Sequence, residues 1–292
     1  MQFYIVDVFA EEKYTGNQLA VVPGAEGLSD QEMQQVAQEM NYSETTFILG
    51  DTPRAAGYDV RIFTPAREIP FAGHPTLGTA YIIQQELIGQ PVDQVNLNLA
   101  VGQIPVTLGY ANRSPDILWM RQNPPDFGPV FDPTSVASML NIQVEDIDAR
   151  FPIQDVSTGL PFIITPLRSR GAIQRCRVNI DQYFQLVEDS RAKAFLVFCA
   201  EPYHPENQLN VRVFTHYYNI PEDPATGSGN GDLAAYLVKY RYFGAAEIDI
   251  RAEQGYEIKR PSLLYLRAKA SNEHIDVSVG GRVVMIAKGS LV

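Results

Sequence analysis

Three stretches of this 292-residue chain hold side chains able to move a proton on a small acid. In IPEDPATGSGNGD (220–232), Asp223 stands four residues before Gly227. Gly227, Ser228, Gly229, Asn230 and Gly231 then form a run of small residues ahead of the apolar LAAYLVKYRYF (233–243). That order predicts a loop opening into a helix, whose first backbone N–H groups point outward and can hold an anion. Glycines let a ligand come close to the main chain. In EIPFAGHPTLGTA (68–80), Pro75 suits the first turn of a helix, which puts Gly73 and His74 at a second helix entrance. Glu44, in NYSETTF (41–47), falls at the joint between a helix and a strand. A carboxylate, an imidazole and anion-holding helix starts are what removing a proton from carbon, and returning it, would use. Each stretch also has a plainer explanation. Pro, Thr, Ser, Gly and Asn are turn and cap residues, and a Glu at such a joint is ordinarily solvated.

Sharper motifs do not fit. Gly227-x-Gly229-x-Gly231 is part of a dinucleotide fingerprint, but a long Pro-containing loop replaces the tight strand-to-helix turn. No Lys follows these glycines, so they are not a P-loop, and Thr226 occupies the first glycine position of a nucleophile elbow. His74, His204, His216 and His274 have no metal-ligand spacing, and Cys176 and Cys199 supply neither a disulfide framework nor a zinc site.

The elements that must position these residues occur twice. FYIVDVFA (3–10) and NQLAVVP (17–23) read as antiparallel strands with Thr15-Gly16 near the turn. A helix follows, with capping-box spacing at Ser29 and Glu32 and Met33, Val36, Ala37 and Met40 on one face. Next come TTFIL (45–49), the strand YDVRIFTP (58–65) and LGTAYII, apolar on nearly every side as a helix buried all round would be. The same order returns later. STGLPFIITP (157–166) repeats the Thr-Gly and Pro offsets of YTGNQLAVVP (14–23), and NIDQYFQLVEDS (179–190) takes the place of the first helix. KAFLVF (193–198) matches TTFIL, NVRVFT (210–215) matches DVRIFT (59–64), and AAYLV (234–238) matches TAYII (79–83). A duplication with a period of about 150 residues is too long for a solenoid. By the TTFIL/KAFLVF match, the second counterpart of Glu44 is near Ala192, so only one half supplies this acid or base.

Asn123-Pro124-Pro125 and Gly128-Pro129 read as a linker. We therefore expect an N-terminal lobe of 1–122, completed by a returning strand within 280–292, and a C-terminal lobe of 129–279. The expected class is α+β, with two pseudo-symmetric lobes, each a curved, mostly antiparallel sheet around a central helix. The helix starts near 73–76 and 227–231 are expected to face one cleft, where small ligands commonly bind.

A formal charge of −11 disfavours nucleic acid and anionic membrane as partners. No apolar run approaches the ~20 residues of a membrane span. MQFYIVDVFAEEK lacks the basic start and long apolar stretch of a signal peptide. A cytoplasmic protein acting on a small molecule is expected.

Taken together, NYSETTF (41–47), EIPFAGHPTLGTA (68–80) and EDPATGS (222–228) resemble the PhzF family of phenazine biosynthesis-like isomerases, and GNQLAVV and the GG…V…GSL ending extend the likeness over essentially the whole chain. The resemblance implies a diaminopimelate-epimerase-like fold, no cofactor or metal, and a homodimer. It places the family's catalytic glutamate on Glu44, its cleft histidine on His74, and its aspartate and serine on Asp223 and Ser228. The backbone around Gly73, Gly227 and Gly229 would hold substrate. The implied reaction is a proton shift that migrates a double bond in a small carboxylate-bearing molecule, cyclic dienoic acids being candidates, with Glu44 raised in pKa by burial. The alternatives are an epimerase or racemase of a small acid, or a binding module without catalysis. No cysteine stands at the helix starts for two-thiol racemisation. Gly229-Asn230-Gly231-Asp232 departs from the alanine-rich continuation common in the family.

Overall fold

The alternating residues of QFYIVDV form strand β1 (Gln2–Val8) in the computed structural model, which describes residues 1–271 and 274–292. The chain divides into two units, 1–121 with 280–292, and 122–279.

In the first unit, β1 pairs antiparallel with β2 (Asn17–Val22), and β2 runs parallel to β3 (Glu44–Ile48). β3 lies antiparallel to β4 (Tyr58–Phe63). One end of β4 pairs with the short β5 (Glu68–Ile69), and the other runs parallel to β6 (Gln94–Leu99). β7 (Gly102–Ala111) and β8 (Ser114–Arg121) continue antiparallel from β6, and the last strand, Val283–Ser290, pairs with β1. Each parallel pair needs a crossover. Helix α1 (Asp30–Met40) supplies the first, opened by the Ser29/Glu32 capping box, and α2 (Gly73–Ile82) the second.

Helix α2 is buried on all sides except at Tyr81. It lies close on the sheet because of Gly78. A Cβ there would come within 2.6 Å of Leu19 and 2.9 Å of Val8. The Thr46 and Thr79 hydroxyls satisfy each other inside this packing at 2.8 Å. Phe47 and Phe63, edge to face with centroids 5.4 Å apart, seal the other side of the sheet under α1.

The second unit holds β9 (Asp126–Val130), α3 (Pro133–Leu140), β10 (Gln154–Ser157), β11 (Phe162–Pro166), α4 (Arg170–Arg175) and α5 (Ile180–Val187). It continues with β12 (Ala194–Cys199), β13 (Leu209–Thr215), β14 (Ile220–Asp223), α6 (Gly227–Lys239), β15 (Glu247–Gln254) and β16 (Ser262–Ala270). Its pairings repeat those of the first unit. β10–β11 are antiparallel, β11–β12 parallel, β12–β13 antiparallel, β13–β14 short, β13–β15 parallel and β15–β16 antiparallel. The α+β class and the duplication are therefore seen in the hydrogen-bond pattern itself.

Two expectations change. The stretch expected as a linker contributes strand β9, which pairs with β10. The second counterpart of Glu44 is Ala194 and not Ala192. Leu19 opposes Glu44 where Phe162 opposes Ala194, and Thr45 opposes Phe63 where Phe195 opposes Phe214. The two-residue slip keeps the same face of the strand, which is why the apolar pattern concealed it.

A third repeated feature is an arginine fork. Arg61 on β4 donates through Nε and Nη2 to Glu68 on β5 at 2.8 and 2.7 Å. Arg212 on β13 donates through the same atoms to Glu222 on β14 at the same two distances. Both glutamates open an E-x-P-x-x-G run, Glu68–Gly73 and Glu222–Gly227, that ends on the first residue of a central helix. Bidentate pairing fixes the plane of both groups, so each fork holds the approach to its helix start.

Candidate active site

Glu44 is the first residue of β3 and His74 the second of α2, so the first unit places them together from 30 positions apart in sequence. His74 Nε2 lies 3.3 Å from Glu44 Oε2, with side chains 7% and 14% exposed. The contact lacks the alignment of an Nε2–H donor. The other ring nitrogen shares a hydrogen bond with the Gln18 backbone on β2. Burial pushes the imidazole down to about 3, and the bond to Gln18 opposes it. His74 is therefore neutral near pH 7. Its proton sits on the nitrogen facing Gln18, and Nε2 presents a lone pair to Glu44.

The second unit holds Asp223, Thr226, Gly227 and Ser228. Asp223 ends β14, and its side chain leaves the strand opposite to that of Glu222, because successive residues alternate faces. The Thr226 hydroxyl donates to Asp223 Oδ2 at 2.5 Å. Ser228 is the second residue of α6 and half-buried. The glycine run is not the loop its composition suggests, because α6 starts at Gly227 and contains all of it. Gly229 packs against the sheet, where a Cβ would meet Phe162 and Leu196 at 3.3 Å. It serves close packing there, and its Cα faces the core.

Helix caps mark the two sites off from the rest of the chain. Ser29, Asp132, Ser169 and Asn179 cap α1, α3, α4 and α5 by accepting a first-turn N–H. The two central helices, α2 and α6, begin at Ala72 and Thr226 without a side-chain cap. Their first N–H groups are the donors a substrate carboxylate or a developing enolate could use. Among the described residues, no group of three or more His, Cys, Asp and Glu side chains could hold a metal ion, and no helix is long and apolar enough to cross a membrane.

Residues 6–289 match the family model described as phenazine biosynthesis-like protein. The chain belongs to the phenazine biosynthesis-like family. It is 32% identical over 290 residues to a trans-2,3-dihydro-3-hydroxyanthranilate isomerase of Pseudomonas aeruginosa, covering 99% of this chain and 98% of that one. It is 31% identical over 297 residues to an uncharacterized isomerase of Clostridium acetobutylicum, covering 99% and 97%. A PhzF-family phenazine biosynthesis protein of Bacillus anthracis superposes with a TM-score of 0.91 at 24% identity, covering 100% and 99%, which shows a shared fold. That fold is the diaminopimelate-epimerase-like one. Isomerase is the activity class the relatives' names share.

Within this family frame, the departure at 229–232 has a structural explanation. Asn230 and Asp232 are fully buried. Asp232 accepts the Thr158 N–H at 2.6 Å and its hydroxyl at 2.8 Å, and burial raises its carboxyl well above the usual range. It anchors α6 to the turn after β10. Cys176 and Cys199 are buried free thiols, both pushed up to about 12 by desolvation. A thiol so placed is a poor base, and neither stands at a helix start. Sequence reasoning missed Gln18, Thr226 and Gln254. Only Thr226, inside the Asp-Pro-Ala-Thr-Gly-Ser run, carried a local signal.

Proposed function

We propose that this family member is a cofactor-independent isomerase that shifts a proton, and with it a double bond, in a small carboxylate-bearing molecule. The contact between Glu44 and a neutral, buried His74 carries this reading. With its one ring proton given to Gln18, His74 can only accept from Glu44. The pair is complementary when the shared proton resides on the carboxyl group. In the reaction, the Glu44 carboxylate takes a proton from an sp3 carbon, and the C–H electron pair enters the conjugated system of the acid. Reprotonation by Glu44 at the far end of that system leaves the double bond moved and the enzyme unchanged. His74 holds Glu44 in place and accepts from its acid form. The uncapped start of α2, beside His74, supplies donors for the negative charge that builds up. Asp223 orients the substrate or relays protons, and Ser228 donates a hydrogen bond.

A single base acting twice fits this chain better than two opposed bases. The duplicated position of Glu44 holds Ala194, and both thiols are buried away from the helix starts. The name of the Pseudomonas aeruginosa relative suggests the first substrate to try, trans-2,3-dihydro-3-hydroxyanthranilate. The test is NMR in deuterated water with that acid and a panel of unsaturated and amino acids. Double-bond migration with deuterium at the new position supports the reading. Inverted configuration at one labelled carbon would replace it with epimerisation, and no label in any acid would leave a binding module.

Asp223→Asn and Ser228→Ala should each weaken turnover or ligand binding by about 1–3 kcal/mol, the value of one positioned hydrogen bond, and leave the circular dichroism spectrum intact. If both variants fail to fold, the run is a structural cap. His74 should show no imidazole titration by NMR between pH 5 and 8, since its pKa lies near 3. A midpoint near the ordinary value of about 6.5 would contradict the buried, neutral ring. The unfolded chain binds the His74 proton more readily, so this contribution is present above about pH 6.5 and lost as the pH falls toward 3.

A further inference from the structure

Gln254, the last residue of β15, is fully buried and joins three parts of the helix approach. Its Nε2 donates to the Asp223 carbonyl at 2.8 Å and to Thr226 Oγ1 at 3.0 Å. Its Oε1 accepts from the Thr226 N–H at 3.2 Å and from Asn230 Nδ2 at 2.8 Å. Asn230 Nδ2 also reaches the Thr226 carbonyl at 3.0 Å, and the Thr226 hydroxyl, held from one side by Gln254, donates onward to the Asp223 carboxylate. Side-chain amide, hydroxyl and carboxylate thus form one chain of bonds ending on Asp223.

The duplication supplies an internal control. Matching DVRIFT to NVRVFT makes Asp59 the counterpart of Asn210. The parallel pairings Asp59–Asn98 and Asn210–Glu253 then make Leu99 the counterpart of Gln254. The two E-x-P-x-x-G runs set Ile69 against Asp223 and Ala72 against Thr226. Ile69 and Leu99 line one surface recess of the first unit. The same strand, turn and central helix therefore form in the first unit with Leu, Ile and Ala where the second has Gln, Asp and Thr. The backbone does not require the polar chain. Burying an amide is costly unless its bonds are all made, so a buried Gln in place of Leu needs another reason.

We infer that Gln254, with Thr226 and Asn230, is a positioning residue that fixes the Asp223 carboxylate and the start of α6 for the isomerase reaction. The inference rests on the proposed function, and its test separates the two. Gln254→Leu copies one position of the first unit and takes a partner from the Asp223 carbonyl, the Thr226 N–H and Asn230, so it should fold with a lowered melting temperature. Backbone hydrogen exchange over residues 223–230 should rise at least ~10-fold while exchange over β12 stays unchanged, because only the local brace is gone. With trans-2,3-dihydro-3-hydroxyanthranilate as substrate, kcat should fall at least ~10-fold with a smaller change in KM, as expected when a group is misplaced in the transition state. Gln254→Glu keeps the acceptor for Thr226 and Asn230 but cannot donate to the Asp223 carbonyl, so it should fall between the two. Unchanged exchange in Gln254→Leu overturns the inference whatever the activity. So does full kcat in Gln254→Leu where Asp223→Asn has lost turnover. Full activity in Asp223→Asn instead counts against the orienting role proposed above, and exchange then decides Gln254 alone.

Discussion

Glu44→Gln is expected to bind ligand and lose turnover by at least ~100-fold. The amide is close to the carboxylate in size and can still donate to His74 Nε2, so the 3.3 Å contact should survive. It cannot take a proton from carbon. The loss should therefore appear in kcat, with KM little changed, because the missing interaction exists only on the way to the transition state. Deuterium provides the second readout. The wild-type chain should carry solvent deuterium into the shifted position to the extent that Glu44, part-exposed at its edge, exchanges with water between removal and return of the proton. Glu44→Gln should carry none. Full activity of the variant on an authentic substrate would make Glu44 a bystander and remove the mechanism.

Glu222→Ala should destabilise the fold by about 3–5 kcal/mol, whereas Glu68→Ala should cost under about 1 kcal/mol. The two forks have the same geometry and differ in burial. The Arg212 and Glu222 side chains are 7% and 10% exposed, against 24% and 41% for Arg61 and Glu68. Removing Glu222 leaves a buried guanidinium with, among the described residues, the Ile173 and Cys176 carbonyls at 2.8 and 3.1 Å as its remaining acceptors. Arg61 without Glu68 keeps Asp30 at 2.6 Å and meets water. Chemical denaturation of the two variants measures the difference. Equal losses would mean that burial does not decide the worth of these forks.

Much of this architecture was legible in the residues. Apolar alternation gave the strands, Ser29 with Glu32 gave the start of α1, and the repeated VR-x-FT and AY segments gave the duplication, because a strand or helix face is a local property with a fixed period. Glu44, His74, Asp223 and Ser228 could be singled out because each stands at a joint between elements, where packing alone does not dictate residue type. Periodicity does not tell which residue lies opposite. It left the counterpart of Glu44 two positions off, since a slip of two keeps the same face. Composition made the glycine run a loop, whereas in the fold it is the first turn of α6, with Gly229 lying close against Phe162 and Leu196.

What the tertiary structure alone decided is the state of the site. The charge on His74 depends on burial and on a carbonyl from β2, both distant in sequence. The Asp223 carbonyl accepts from Gln254, 31 residues away on β15. Protonation and orientation are set by whatever surrounds a group in space, and no spacing rule along the chain carries that information.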